Sequence, residues 1–183
     1  MSVVPAVSVP TRSQIQNSPS AAALEGAAAQ WRQLADQSEQ AFDEHRTTIV
    51  NTDWHGEAKD AAVNAATAAV GVAGNQVRII RDSAALAENG SADVKAARQA
   101  VLDAIAAAEA DGFAVGEDLS VRDTRRIDVA TMAARATSQR EHAEDIRWHA
   151  EQFAQTKALV NKRLTAKRRR TQRHPIRRPG RGT

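Results

Sequence analysis

Alanine occupies 39 of the 183 positions, against six for Phe, Trp and Tyr together. That imbalance restricts the possible folds more than any other feature. Alanine is the strongest helix former and lets helices approach closely. Strands draw on aromatic and β-branched residues, and the aromatics are scarce here. The length fits one domain with a tail. Cysteine is absent, which excludes a disulfide framework, a thiolate metal site and a cysteine nucleophile. No apolar run approaches the roughly 20 residues of a membrane span. No basic region followed by a hydrophobic stretch marks a cleaved signal peptide near Met1.

The apolar spacing predicts four helices, at about 20–49, 57–88, 91–110 and 123–167. Ser18-Pro19 reads as the start of the first, a serine cap followed by proline at the first helical position. Leu24, Ala28, Trp31, Leu34, Ala35 and Phe42 form its apolar stripe. Thr11 can cap a short turn just before it. Asn51-Thr52-Asp53-Trp54-His55-Gly56 interrupts the pattern, and Asn89-Gly90 reads as the stop of the second helix. Residues 57–88 are apolar over about two thirds of a helix circumference, a pattern expected of a helix covered on more than one side. Folding about residues 53–54 would set Trp31 near Val77, Leu34 near Val72, and Phe42 near Ala65 and Ala66. Ser91 then caps a third helix, residues 111–121 form a connector with short apolar alternation, and Asp123 or Thr124 opens the last helix. The expected fold is therefore all-α: an antiparallel hairpin with a Trp-x-Gly turn, extended into an elongated four-helix bundle. Its divisions are an irregular lead-in at 1–17, a helical domain at 18–165 and a basic disordered tail at 166–183.

Charge divides the chain as well. Residues 1–161 carry 15 basic and 22 acidic residues, a net of −7, whereas residues 162–183 carry ten basic and none acidic. Lys167, Arg168, Arg169, Arg170, Arg173, Arg177 and Arg178 belong to this tail. Such a run attracts any polyanion in a salt-dependent way. No aromatic is interleaved to stack on bases.

Little in the sequence speaks for catalysis. No His-Glu-x-x-His, Gly-x-Ser-x-Gly, P-loop or Gly-x-Gly-x-x-Gly pattern occurs. His142, Asp145 and His149 share a helical face, but three mixed ligands read as an exposed polar patch before a metal site. The reading is non-enzymatic, without cofactor or metal.

Trp54 and Gly56 sit at the one break between two long helices of matched length, where an indole can close the hairpin end and Gly56 lets the second helix start close to the first. With that placement the sequence resembles the WXG-type substrates of type VII (ESX) secretion in mycobacteria and related actinobacteria. The resemblance is to the larger branch, whose hairpin continues into further helices. It is carried by Val9-Pro10-Thr11-Arg12-Ser13-Gln14-Ile15, by Trp31 and Phe42, and by Trp54 through Ala62. The connector Gly112-Phe113-Ala114-Val115 with Asp118, Val121 and Asp123 extends it. The resemblance implies a helical protein, secreted or in the cell envelope without a cleaved signal and cytoplasmic before export. It also implies a helical partner protein or secretion machinery as partner, in a homo- or hetero-dimer. The family's export signal adds Tyr-x-x-x-Asp/Glu, and tyrosine is absent here. The nearest substitute is Phe113-x-x-x-Glu117 in the connector, so a partner chain would supply the signal. The alternatives are a helical nucleic-acid-associated protein whose tail docks on phosphate, and a module that positions a separately encoded hydrolase.

Overall fold

The computed structural model describes residues 8–53, 55–125 and 129–172, with backbone alone at 170–172. Helix dominates these residues, as the alanine content requires. In chain order the elements are α1 (Arg12–Gln16), α2 (Ser20–Val50), α3 (Glu57–Ala110), β1 (Phe113–Val115), β2 (Val121–Asp123) and α4 (Met132–Gln172). The two strands pair antiparallel, Phe113 opposite Asp123 and Val115 opposite Val121. No helix among the described residues is long and apolar enough to cross a membrane.

Where four long helices were expected, the described residues hold three. The second and third are one, because α3 runs unbroken through Asn89-Gly90. Gly90 keeps helical backbone angles, and the positive-φ glycine that closes α3 is Gly112, at +82°. There the Gly112 N–H donates to the Glu109 carbonyl at 3.0 Å, in the usual manner of a glycine beyond a helix end. Ala84, Ala87, Ser91, Val94, Arg98, Val101, Ile105 and Ala108 follow alternating steps of three and four, a seam that continues in phase across Gly90. Ser91 is consequently not a cap. It is buried in mid-helix and its hydroxyl donates to the Ala21 carbonyl at 2.9 Å.

The chain forms two compact units. One holds the described residues of Met1–Ala23 and Asn89–Lys162, the other those of Leu24–Glu88 and Arg163–Thr183. In the first, Ile15, Val94, Val101, Ile105, Phe113, Val121, Ile146, Phe153 and Val160 make the core. Residues 146, 150, 153, 157 and 160 of α4 repeat the three-and-four spacing. Glycine at 90 serves close approach: a Cβ there would lie 2.6 Å from Val160 Cγ1. Gly90→Val should therefore destabilise by roughly 1–3 kcal/mol through overpacking. In a denaturant melt, Val160→Ala in the same chain should recover part of that loss; strictly additive losses would show that the two positions do not meet.

The start of the chain is also more ordered than an irregular lead-in. Thr11 and Gln14 form a reciprocal capping box, and Ile15 is fully buried. Arg98 ties down the other end of α1, its Nε donating to the Ile15 carbonyl at 2.8 Å and its Nη2 to that of Gln16. A guanidinium there satisfies carbonyls that a helix end leaves without partners.

Asp123 does not open the last helix. It ends β2, and its carboxylate accepts from Arg135 Nη2 at 2.6 Å, from Arg135 Nε at 2.8 Å and from the Arg125 N–H at 3.0 Å. Helix α4 begins only at Met132 and runs to Gln172, beyond the expected end near Lys167.

Candidate interaction surface

In the second unit, α2 and α3 run antiparallel with alanine as the contact residue. Ala28, Ala84 and Ala87 are buried together, and Leu24, Trp31 and Leu164 pack against them. Trp31 thus lies seven to ten residues along α3 from Val77, where a tight fold about 53–54 would have put it. Ion pairs confirm the displaced register: Arg32 meets Glu88, and Arg81 Nη2 meets Asp36 at 2.9 Å and Glu39 at 2.5 Å. Hydrogen bonds that it donates to Glu39 and then to Asp36 hold the Arg81 guanidinium above its usual pKa. Six residues, 51–56, connect the helix ends. The Lys59 anchor, Nζ donating to the Thr52 carbonyl at 3.0 Å, ties the start of α3 to the chain before it.

This register leaves apolar surface open. Leu34 and Phe42, expected in the hairpin packing, are 50% and 39% exposed, and Val50 and Val72 are exposed too. Ala35, one position from Leu34, takes the buried place instead. On α3, Ala61, Ala65, Ala68 and Ala69 are also exposed, so the helix expected to be covered on more than one side has an uncovered face. Trp54 lies outside the described residues. Gly56 adopts φ +88°, and no described residue lies within 4 Å of where a Cβ would stand. The glycine serves a backbone angle that other residues rarely adopt.

The first unit joins the two segments that carry the resemblance beyond the hairpin. Arg12 Nη1 donates to Glu109 at 2.7 Å and to the Val115 carbonyl at 2.8 Å, and the Arg12 N–H to the Glu117 carbonyl at 2.9 Å. Glu117 in turn accepts from the Ser13 N–H at 3.0 Å and the Ser13 hydroxyl at 2.9 Å. A carboxylate at the first turn of α1 complements its unpaired N–H groups. Bonds from the Thr11 hydroxyl, then from Ser13, hold Glu117 below its usual pKa. Phe113 is buried with the Arg135 guanidinium 3.9 Å above its ring centre. Phe113 and Glu117 are thus both engaged within the unit.

Arg135 lowers the Asp123 pKa to about 2, chiefly by hydrogen bonding. A depressed carboxylate stabilises the fold above its ordinary pKa and ceases to as pH falls. Thermal unfolding should show that contribution intact above about pH 4 and vanishing toward pH 2. Asp123→Asn should melt lower at neutral pH, with the gap to the parent closing across that window; a constant gap would dismiss the ion pair as its source.

Of the metal-spaced trio, His142 turns to a partner outside it, and His149 faces Asp145 within it. His142 Nε2 lies 2.7 Å from Asp111 Oδ2 with its ring against Phe113, and His149 Nε2 lies 3.5 Å from Asp145. Of the tail residues, Lys167 pairs with Asp82 at 2.9 Å, and Arg168 and Arg169 are exposed on α4. The Arg170 side chain and Arg173, Arg177 and Arg178 lie outside the described residues.

Relatives occur in mycobacteria. Uncharacterised proteins of Mycobacterium bovis and of two Mycobacterium tuberculosis strains are each 32% identical to this chain over 141 residues, or 76% of its length. That stretch is 44% of each relative, so the chain spans less than half the length of the curated proteins it matches. No family model matches the sequence. No solved structure matches it significantly.

Proposed function

We infer that the chain is a non-enzymatic helical protein of type VII (ESX) secretion, either a substrate or the partner of one. The uncovered apolar face of the α2–α3 hairpin carries this reading. Leu34, Phe42, Val50 and Val72 are exposed on helices whose mutual contact is mostly alanine. Alanine burial contributes little per residue, since stabilisation scales with the apolar area removed from water. A partner helix laid on these side chains would add what the hairpin lacks. The resemblance at Trp54 and Gly56, the docking of Thr11–Ile15 on the connector, and relatives in mycobacteria support the same reading.

Its test is export from a mycobacterial host. The protein should appear in the culture filtrate when the type VII machinery is intact and a partner is co-expressed, and stay inside when either is missing. Phe42→Glu with Val72→Glu should weaken co-purification of the partner at least tenfold without loss of helix content. Export that persists in a secretion-deficient strain would sink the reading.

The second reading, a nucleic-acid-associated protein, rests on the charge split and on the exposed Arg168 and Arg169 at the end of α4.

A further inference from the structure

The second unit contains a cleft of about 440 Å³ whose walls include Trp31 and Leu34 of α2, Ile79 of α3, and Leu164, Lys167 and Arg168 of α4. Its volume lies in the range of about 300–1,000 Å³ typical of small-molecule sites. The wall is mostly hydrocarbon. Ser83, which also lines it, turns its hydroxyl to the Ile79 carbonyl at 2.8 Å. The two cations differ. Lys167 is neutralised by Asp82, whereas Arg168 is exposed and makes no hydrogen bond or ion pair to a described residue. An apolar cleft beside an unengaged guanidinium matches a ligand with a hydrocarbon body and one anionic end. A carboxylate, like a phosphate, is a group that guanidinium recognises bidentately.

Size selects among such ligands. One turn of helix, about 10 Å across and 5.4 Å in pitch, occupies on the order of 400 Å³. A helix could set only one face on the cleft, while an extended alkyl chain can lie along it.

We propose that this cleft binds a single-chain anionic amphiphile of the fatty-acid class. Its chain lies against Trp31, Leu34, Ile79 and Leu164, and its carboxylate meets Arg168. The site does not rest on the secretion reading and would stand if that reading fell, although it shares Leu34 with the face given there to a partner helix.

The test uses the full chain with Trp54→Phe and Trp148→Phe, which leaves Trp31 as the only indole. Sodium laurate, kept below its micelle concentration, should shift Trp31 emission to the blue with one-site saturation. Calorimetric titration of the unsubstituted chain should return the same affinity. Arg168→Glu should weaken binding at least tenfold with circular dichroism unchanged. Lauryl alcohol, of the same chain length without the charge, should bind at least tenfold more weakly than laurate. Absence of saturation, equal binding of laurate and the alcohol, or indifference to Arg168→Glu would each overturn the proposal. Preference for an acidic helical peptide over laurate would overturn its ligand class.

Discussion

Replacing Phe153 by alanine should lower the stability of the first unit by about 3–5 kcal/mol. Its ring is fully buried on the α4 seam between Ile146 and Val160. It also lines a cavity together with Pro10, Asn17 and Pro19 of the N-terminal segment. The Lys157 ammonium lies 5.2 Å from the ring centre and adds a cation–π attraction that alanine removes. Most of the other buried side chains described in the unit are alanine and valine, which are too small to close the resulting cavity. Urea unfolding should show the midpoint fall, and amide exchange should accelerate over 91–108 of α3, which packs in the same unit. Phe153→Leu, retaining most of the apolar volume, should lose less. An unchanged midpoint for Phe153→Ala would mean that the seam on α4 is not a packed core.

That seam explains how far the sequence could be read. Helices over 20–50 and 57–88 were legible because their apolar residues recur at helical spacing and Asn51–Gly56 separates them. The apolar alternation of the connector and the Thr11 turn were legible, the turn from its capping residue, but the pairing of β1 with β2 was not part of the expected all-α fold. Asn89-Gly90 misled, because a glycine after asparagine is a common helix end and equally a place where another side chain comes close. Two facts in the sequence distinguish the cases: the heptad runs in phase from Ala84 to Ala108, and a second glycine, Gly112, stands just past its end. Val160, seventy residues away, supplies the compensating contact and could not be located by local spacing. Asp123 misled for a similar reason. It looks like a helix cap beside Thr124, yet Arg135, twelve residues on, claims its carboxylate for the end of a strand.

The interaction surface was the least legible part. Leu34 and Phe42 were read as packing residues because large apolar side chains opposite small ones suit a hairpin. The realised register depends on the path of residues 51–56 and on the pairing of Arg81 with Asp36 and Glu39, which periodicity does not encode. The exposed face follows from that displacement.

The tail should produce the largest effect of all, and it separates the two functional readings. Ten cations lie between Lys162 and Arg181 without an acidic neighbour. If about six to ten of them meet phosphate, affinity for duplex DNA should fall by three to five decades between about 50 and 200 mM salt. The truncation must respect the packing. Leu164 belongs to the hairpin core and Lys167 pairs with Asp82, so ending the chain after Gln172 is the cut that leaves the described contacts in place. It removes Arg173, Arg177, Arg178 and Arg181, and the slope of log affinity against log salt should become shallower by about three to four if all four meet phosphate. Under the secretion reading the truncated chain should still pair with its helical partner, because Leu34, Phe42, Val50 and Val72 are untouched. Competition among unrelated duplexes at about 150 mM salt makes the decision: weak, indiscriminate binding marks the tail as a polyelectrolyte. Sequence-selective binding that survives both this salt and the truncation would place the recognition element in the helical body and put nucleic-acid association ahead of secretion.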